Sequence, residues 1–95
     1  MSIGAEALFV VTAYAYGCGA KGFTKTERIP DAERTVAVDP RVIPMGTPLA
    51  IQGVGVRHAE DTGRKVKGNR IDVFMDSCAA AREFGVQRLY VMRLP

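Results

Sequence analysis

A chain of 95 residues has room for one domain around one core, so residues 1–95 form a single unit, with its body over about 9–94, and one site is expected. A hydrophobic share of 47% against 24% charged residues excludes a disordered chain, and no apolar run nears the roughly 20 residues of a membrane span, which excludes membrane insertion. The net charge of +3 favours an anionic partner and leaves wall polymer, membrane surface and nucleic acid open. The longest apolar run, residues 7–11, is shorter than a signal-peptide core and follows no basic leader. The chain is therefore expected to be soluble, and either to derive from an exported precursor or to reach its substrate by another route such as phage lysis.

Residues 7–16, rich in β-branched and aromatic side chains, predict a strand that ends at Gly17-Cys18-Gly19. Residues 21–33 are polar, with Gly22 and Pro30 and no hydrophobic period, and predict a long surface loop or flap. Residues 35–38 and 48–51 read as strands around a turn region holding Pro40, Pro44 and Pro48, which a helix would not tolerate. Residues 54–60 and 69–75 predict two more strands, separated by a basic loop at 62–68. A helix is expected over 78–84, capped by Asp76 or Ser77, carried by Ala79, Ala80 and Ala81, and stopped by Gly85. Residues 89–92 close the chain as a strand. About six strands and one helix imply a small barrel.

Cys18 and Cys78 are too few for a disulfide framework and too distant for a local zinc knuckle. A single bridge, two free buried thiols, and a metal or nucleophile role supported by His58 all stay open. Asp72 lies between Ile71 and Val73 in an otherwise apolar strand, where an unpaired carboxylate is costly unless its face looks at water. Asp39 precedes Pro40 and Asp61 precedes Thr62-Gly63, so each taken singly is explained as a turn residue. Three carboxylates at strand ends point together to one cleft.

The segments Thr12-Ala13-Tyr14, Ala37-Val38-Asp39-Pro40, Ile43-Pro44-Met45-Gly46-Thr47, Glu60-Asp61-Thr62-Gly63 and Lys67-Gly68-Asn69-Arg70-Ile71-Asp72 occur in order. Together they resemble the 3D domain, a family named for three aspartates and similar to the catalytic domain of membrane-bound lytic transglycosylase A and to the stationary-phase survival muralytic proteins. The resemblance implies a mainly β fold, a six-stranded double-psi β-barrel with one or two short helices. It also implies a peptidoglycan lytic transglycosylase acting at the cell wall on glycan strands. The family aspartates fall on Asp39, Asp61 and Asp72, with Asp72 in the place of the acid/base, and Thr12 falls on a family site position. Lys67, Asn69 and Arg70 are expected to line the cleft and hold sugar hydroxyls or carboxylates. Tyr14 and Tyr16 are assigned to the barrel wall.

Lytic cleavage needs one proton carrier where hydrolysis usually needs two carboxylates. Asp72 is expected to start protonated, its pKa raised by burial against Ile71 and Val73 and by a charged aspartate nearby. An acid that starts protonated is a poor cation ligand, so neither metal nor cofactor is expected. Arg64 and Lys65 depart from the small residues usual after Asp-Thr-Gly and make the rim basic. A non-catalytic expansin-like binding barrel and a two-carboxylate glycoside hydrolase are the alternatives. A nucleic-acid module is disfavoured because thirteen Lys and Arg are interspersed with ten Asp and Glu. Oligomeric state is left open by these residues.

Overall fold

The computed structural model describes residues 2–95. Seven strands and one helix follow in the order β1 (Glu6–Tyr16), β2 (Gly19–Ala20), β3 (Thr35–Ala37), β4 (Pro48–Ile51), β5 (Gly55–Asp61), β6 (Arg70–Phe74), α1 (Cys78–Phe84) and β7 (Gln87–Arg93). Six of the strands close into a barrel in the order β1-β6-β3-β5-β4-β7, with β7 returning to β1. Closure removes the unpaired edges that an open sheet would expose. The architecture is the expected six-stranded double-psi barrel, with one helix. The two-residue β2 is an addition that no sequence pattern marked; it pairs in parallel with the end of β1 through Ala15 and Tyr16.

β1 is long because it serves two neighbours. Residues 6–11 pair antiparallel with β7, and residues 10–14 pair in parallel with β6. Alternation along the strands divides the wall into two faces. Phe9 and Val11, Val36 and Val38, Ile71 and Val73, with Leu49, Ile51, Ala59 and Val91, fill the barrel interior. The intervening residues of β1, β3 and β6 face outward, where Tyr14, Ala37 and Phe74 build a second, smaller apolar cluster with Ala20 and Val66. The chain therefore has an apolar interior and a separately covered outer wall.

α1 occupies the predicted residues. The Ser77 hydroxyl accepts the Ala80 amide, and Gly85 takes φ 66°, a left-handed stop from which its amide reaches the Ala81 carbonyl. Cys18 and Cys78 form a disulfide, which ties the turn after β1 to the start of α1. Of the three readings the cysteines left open, the bridge is the one realised.

A β-bulge interrupts the β3–β5 ladder. Val36 pairs with Ala59, but Ala37 pairs with Asp61, so Glu60 is the extra residue. Glu60 is buried, its carboxylate taking Arg34 Nε at 2.8 and 2.9 Å and the Thr35 hydroxyl at 2.8 Å. Arg28 adds a longer ion pair at 3.6 Å. Arg34→Met is expected to cost about 3 kcal/mol in denaturant unfolding, the lower end for breaking a buried pair, because the guanidinium is partly open to water. A loss below about 1 kcal/mol would mean that Arg28 alone satisfies Glu60.

Candidate active site

The bulge decides which of two adjacent acids joins the outer wall. With Ala37 opposite Asp61 on one side and Asp72 on the other, and Thr12 opposite Asp72, the row Thr12-Asp72-Ala37-Asp61 crosses β1, β6, β3 and β5. Two strand spacings separate Asp72 from Asp61, about 10 Å between Cα atoms. Ala37 lies between them, 2% exposed beneath the outer cluster it forms with Tyr14, Phe74 and Val66.

Asp72 is half-buried, and its Oδ1 accepts the Thr12 hydroxyl at 3.0 Å. Burial pushes its carboxyl pKa above the usual carboxylate range; the charge of Asp61 adds to the rise, while the Thr12 hydrogen bond and Arg70 oppose it. One part of the sequence expectation needs correcting. Ile71 and Val73 face the interior, opposite to Asp72, so they do not bury its carboxyl. The burial arises on the outer face instead.

Asp61 is held differently. Its Oδ1 accepts the amides of Lys25 at 3.0 Å and Thr62 at 2.9 Å, and its Oδ2 accepts the Tyr14 hydroxyl at 2.9 Å. Three of about four acceptor positions are thus filled. Tyr14 therefore belongs to the site rather than only to the wall. Its position two residues beyond Thr12, on the same strand face, is the signal that could have found it. Burial and the Asp61 charge push the Tyr14 hydroxyl well above its ordinary pKa, so it is a fixed donor.

The predicted flap is real and is stitched to β5. Besides Lys25, the Thr26 amide and hydroxyl both reach the Glu60 carbonyl, and the Tyr16 hydroxyl donates to Gly22. A hollow of about 410 Å³ opens between the flap and the disulfide-bearing turn, lined by Gly17, Gly19, Lys21, Phe23, Asp61 and Thr62. Asp72 sits outside that lining, in the same strand row. A second hollow of about 430 Å³ lies on the other side of Thr62 and includes Lys67. A third, of about 450 Å³, lies at the opposite end of β5 near Gly55 and Tyr90, away from every candidate acid.

Asp39 is the member of the trio that the fold encloses. It is 2% exposed, and its carboxylate accepts the Arg41 amide at 3.0 Å, Arg41 Nε and Nη2 at 3.2 and 3.1 Å, and the Gly68 amide at 2.9 Å. The Arg41 side chain first, then the Gly68 and Arg41 amides, hold its pKa well below the usual range. Asp39 thus anchors the end of the basic loop. Such a depressed pKa adds stability above the unfolded value, and that stability is lost as pH falls toward the folded one. Asp39→Asn is expected to flatten the acid limb of a stability-against-pH profile while lowering stability at neutral pH.

Thr12 and Asp72 are therefore brought together, and Arg70 lies two residues along the same face of β6. Lys67 lines the hollow beyond Thr62. Asn69 turns toward β1, where its Nδ2 donates to the Leu8 carbonyl at 3.5 Å, and it lines neither flanking hollow. Among the described residues no three His, Cys, Asp or Glu side chains are placed to hold a metal ion, and no helix is long and apolar enough to cross a membrane.

Comparison with known proteins adds family and fold. The 3D domain model matches residues 34–94. The cell wall-binding protein YocH of Bacillus subtilis is 42% identical over 88 residues, covering 85% of this chain and 30% of that protein. The putative cell wall shaping protein YabE of the same organism is 42% identical over 79 residues, covering 78% of this chain and 19% of that protein. The chain thus spans less than a third of the length of these relatives. MltA from E. coli superposes with a TM-score of 0.67 at 20% identity, over 77% of this chain and 27% of that one. The lytic transglycosylase LtgG of Burkholderia pseudomallei superposes with 0.55 at 23% identity, over 74% and 26%. At such identities these two likenesses concern the fold. A family model matched over more than half of the chain, and relatives above 40% identity, lead to one conclusion: the chain belongs to the 3D domain family.

Proposed function

We propose that the chain is a peptidoglycan lytic transglycosylase that cleaves the β-1,4 bond between N-acetylmuramic acid and N-acetylglucosamine, with Asp72 as acid and then base. The observation that carries this is the half-buried Asp72 carboxyl, pushed up in pKa by burial and oriented by Thr12 in the same strand row as Asp61. A carboxyl that holds its proton more tightly than a free one is suited to protonating a glycosidic oxygen.

The protonated Asp72 gives its proton to the oxygen of the departing N-acetylglucosamine as the bond from C1 to that oxygen breaks. The resulting carboxylate takes the proton of the muramic C6 hydroxyl, whose oxygen bonds to C1 and closes a 1,6-anhydro ring. Asp72 ends as it began, protonated, and no water enters. Asp61 faces the positive charge that develops at the sugar ring, held in place by Tyr14 and two backbone amides. Its filled acceptor positions leave it poorly suited to activating a water, which favours the single-acid route over a two-carboxylate hydrolase. Asp39 acts as a positioning residue. The disulfide is in keeping with work outside the reducing cytoplasm, at the wall.

The test is mass spectrometry of muropeptides released from purified sacculi. Anhydro ends, one water lighter than hydrolase products, are the expected result; reducing ends alone would rule out the lytic route. The relatives named for wall binding and wall shaping fit a binding barrel as well, and in that case no ends of either kind are released.

The alkaline limb of activity reports the Asp72 pKa, and its neighbours should move it in opposite directions. Thr12→Val removes a donor that stabilises the carboxylate, so the limb shifts to higher pH. Asp61→Asn removes the like charge, so the limb shifts to lower pH. Shifts of the same sign in a pH–rate profile would remove Asp72 from the acid role.

A further inference from the structure

The hollow beyond Thr62 lies beside the candidate site, and the reaction above leaves it unused. Lys25, Pro40, Thr62, Gly63, Arg64 and Lys67 line it, so three cations and no acid face one concavity. Among the described residues these three side chains enter no ion pair, whereas Arg28, Arg34 and Arg41 are all paired. The acids close by have their oxygens committed elsewhere. Asp61 takes backbone amides and Tyr14, and Asp39 takes Arg41 and the Gly68 amide.

The cations sit on a frame that is fixed rather than trailing. Val66 is buried in the outer cluster between the exposed Lys65 and Lys67, and its amide closes a turn on the Gly63 carbonyl at 3.0 Å. A Cβ on Gly63 would come within 2.9 Å of Val66 Cγ2, so only glycine lets the loop fold back this closely. The far end is pinned by Gly68 on Asp39. On the flap side, Lys25 is fixed through its amide to Asp61. Unpaired cations on an ordered frame attract anions without first paying the full cost of ordering a loop.

We propose that Lys25, Arg64 and Lys67 form a cationic subsite that takes a carboxylate of the peptide stem of peptidoglycan, next to the cleft that takes the glycan. The inference rests on the function proposed above and names a second determinant of its substrate. Thr62 lines both hollows and follows Asp61, so a ligand in the basic hollow adjoins the candidate reaction site. The stem hangs from the muramic sugar whose bond is cut, so its carboxylates accompany the reacting sugar. A phosphodiester polymer is the competing anion, but it joins muramic acid through the C6 oxygen, and the lytic step needs that oxygen as a free hydroxyl.

Three soluble probes separate the possibilities by fluorescence anisotropy with the whole chain: glycan strands bearing stems, the same strands stripped of stems by an amidase with the lactyl carboxylates so uncovered capped as methylamides, and poly(glycerol phosphate). The expected result is about tenfold tighter binding of stem-bearing than of stripped strands, the scale of two or three exposed ion pairs, with the preference shrinking as salt rises. The double variant Lys25→Ala/Arg64→Ala should lose most of the preference and bind stripped strands as before. Equal binding of both strands by the native chain, a preference insensitive to salt, or a preference kept by the variant would overturn the subsite. Tighter binding of poly(glycerol phosphate) than of stem-bearing strands would overturn it in favour of phosphate. Stripped strands report on the glycan cleft alone: their binding without a preference sinks only the subsite. Binding of stem-bearing strands alone sinks the glycan cleft and keeps the subsite, and binding of neither sinks both.

Discussion

Asp72→Asn is expected to abolish release of anhydromuropeptides from sacculi and, at neutral pH, to raise the melting temperature of the domain. The first effect follows from the double duty of one group. General acid or base catalysis is worth about 10²–10⁴-fold for a single proton transfer, and here both transfers pass through the same carboxyl, so a fall of at least about 10³-fold is expected. Asn keeps the oxygen that accepts the Thr12 hydroxyl, which limits the change to the proton itself.

The second effect has the opposite sign because the Asp72 pKa is raised in the folded state, chiefly by burial. A carboxyl with a raised pKa favours the fold fully only below its unfolded value of about 3.9, and that contribution is lost as pH climbs through the folded value. Above the unfolded value the native chain therefore bears a cost, in holding the proton or in burying the charge, that the Asn variant does not. The gap in melting temperature should be largest above the folded pKa and should close in acid. An inactive variant that is less stable at neutral pH would mean that Asp72 supports the fold. An active variant would remove Asp72 from the chemistry. A stabilised, inactive variant is the mark of a site whose strain serves function.

The strands and the helix were largely legible because their signals are local. Alternation in β1 and β6, the Ser77 and Gly85 caps, and the glycines and prolines between strands all act within a few residues. Asp72 stood out for the same reason, as a carboxylate in an apolar strand. What stayed hidden depends on pairing between distant strands. The bulge that places Asp61 rather than Glu60 opposite Ala37 is a property of the β3–β5 register, and nothing in Glu60-Asp61 marks which acid turns inward to Arg34. The bond from Tyr14 to Asp61 joins residues 47 apart, so Tyr14 looked like wall. The face of Asp72 is likewise undecided until alternation is tied to an interior, which turns Ile71 and Val73 away from its carboxyl. Asp39 carried an Asp-Pro turn signal, but its grip on Gly68, 29 residues away, comes only from the closed barrel.

Opening the Cys18–Cys78 bridge is expected to lower stability by about 4 kcal/mol, because it closes a segment of 60 residues whose freedom in the unfolded chain would otherwise be large. A chain of this size has roughly 5–14 kcal/mol in total, so the loss is a substantial fraction and should lower the melting temperature by about 15 °C or more. Cys18→Ser/Cys78→Ser, and the native chain under reductant, should agree. The site should feel the change unevenly. Gly17 and Gly19 flank Cys18 and line the hollow that holds Asp61, whereas the pairing of Thr12 with Asp72 depends on the β1–β6 ladder, which the bridge does not form. Below the lowered melting point, the alkaline limb set by Asp72 should therefore stay where it is while the apparent KM for glycan rises. If the limb moves instead, the bridge reaches the proton carrier itself; if stability changes by less than about 1 kcal/mol, the turn and α1 are already held together by packing, and the bridge adds nothing to the wall of the hollow.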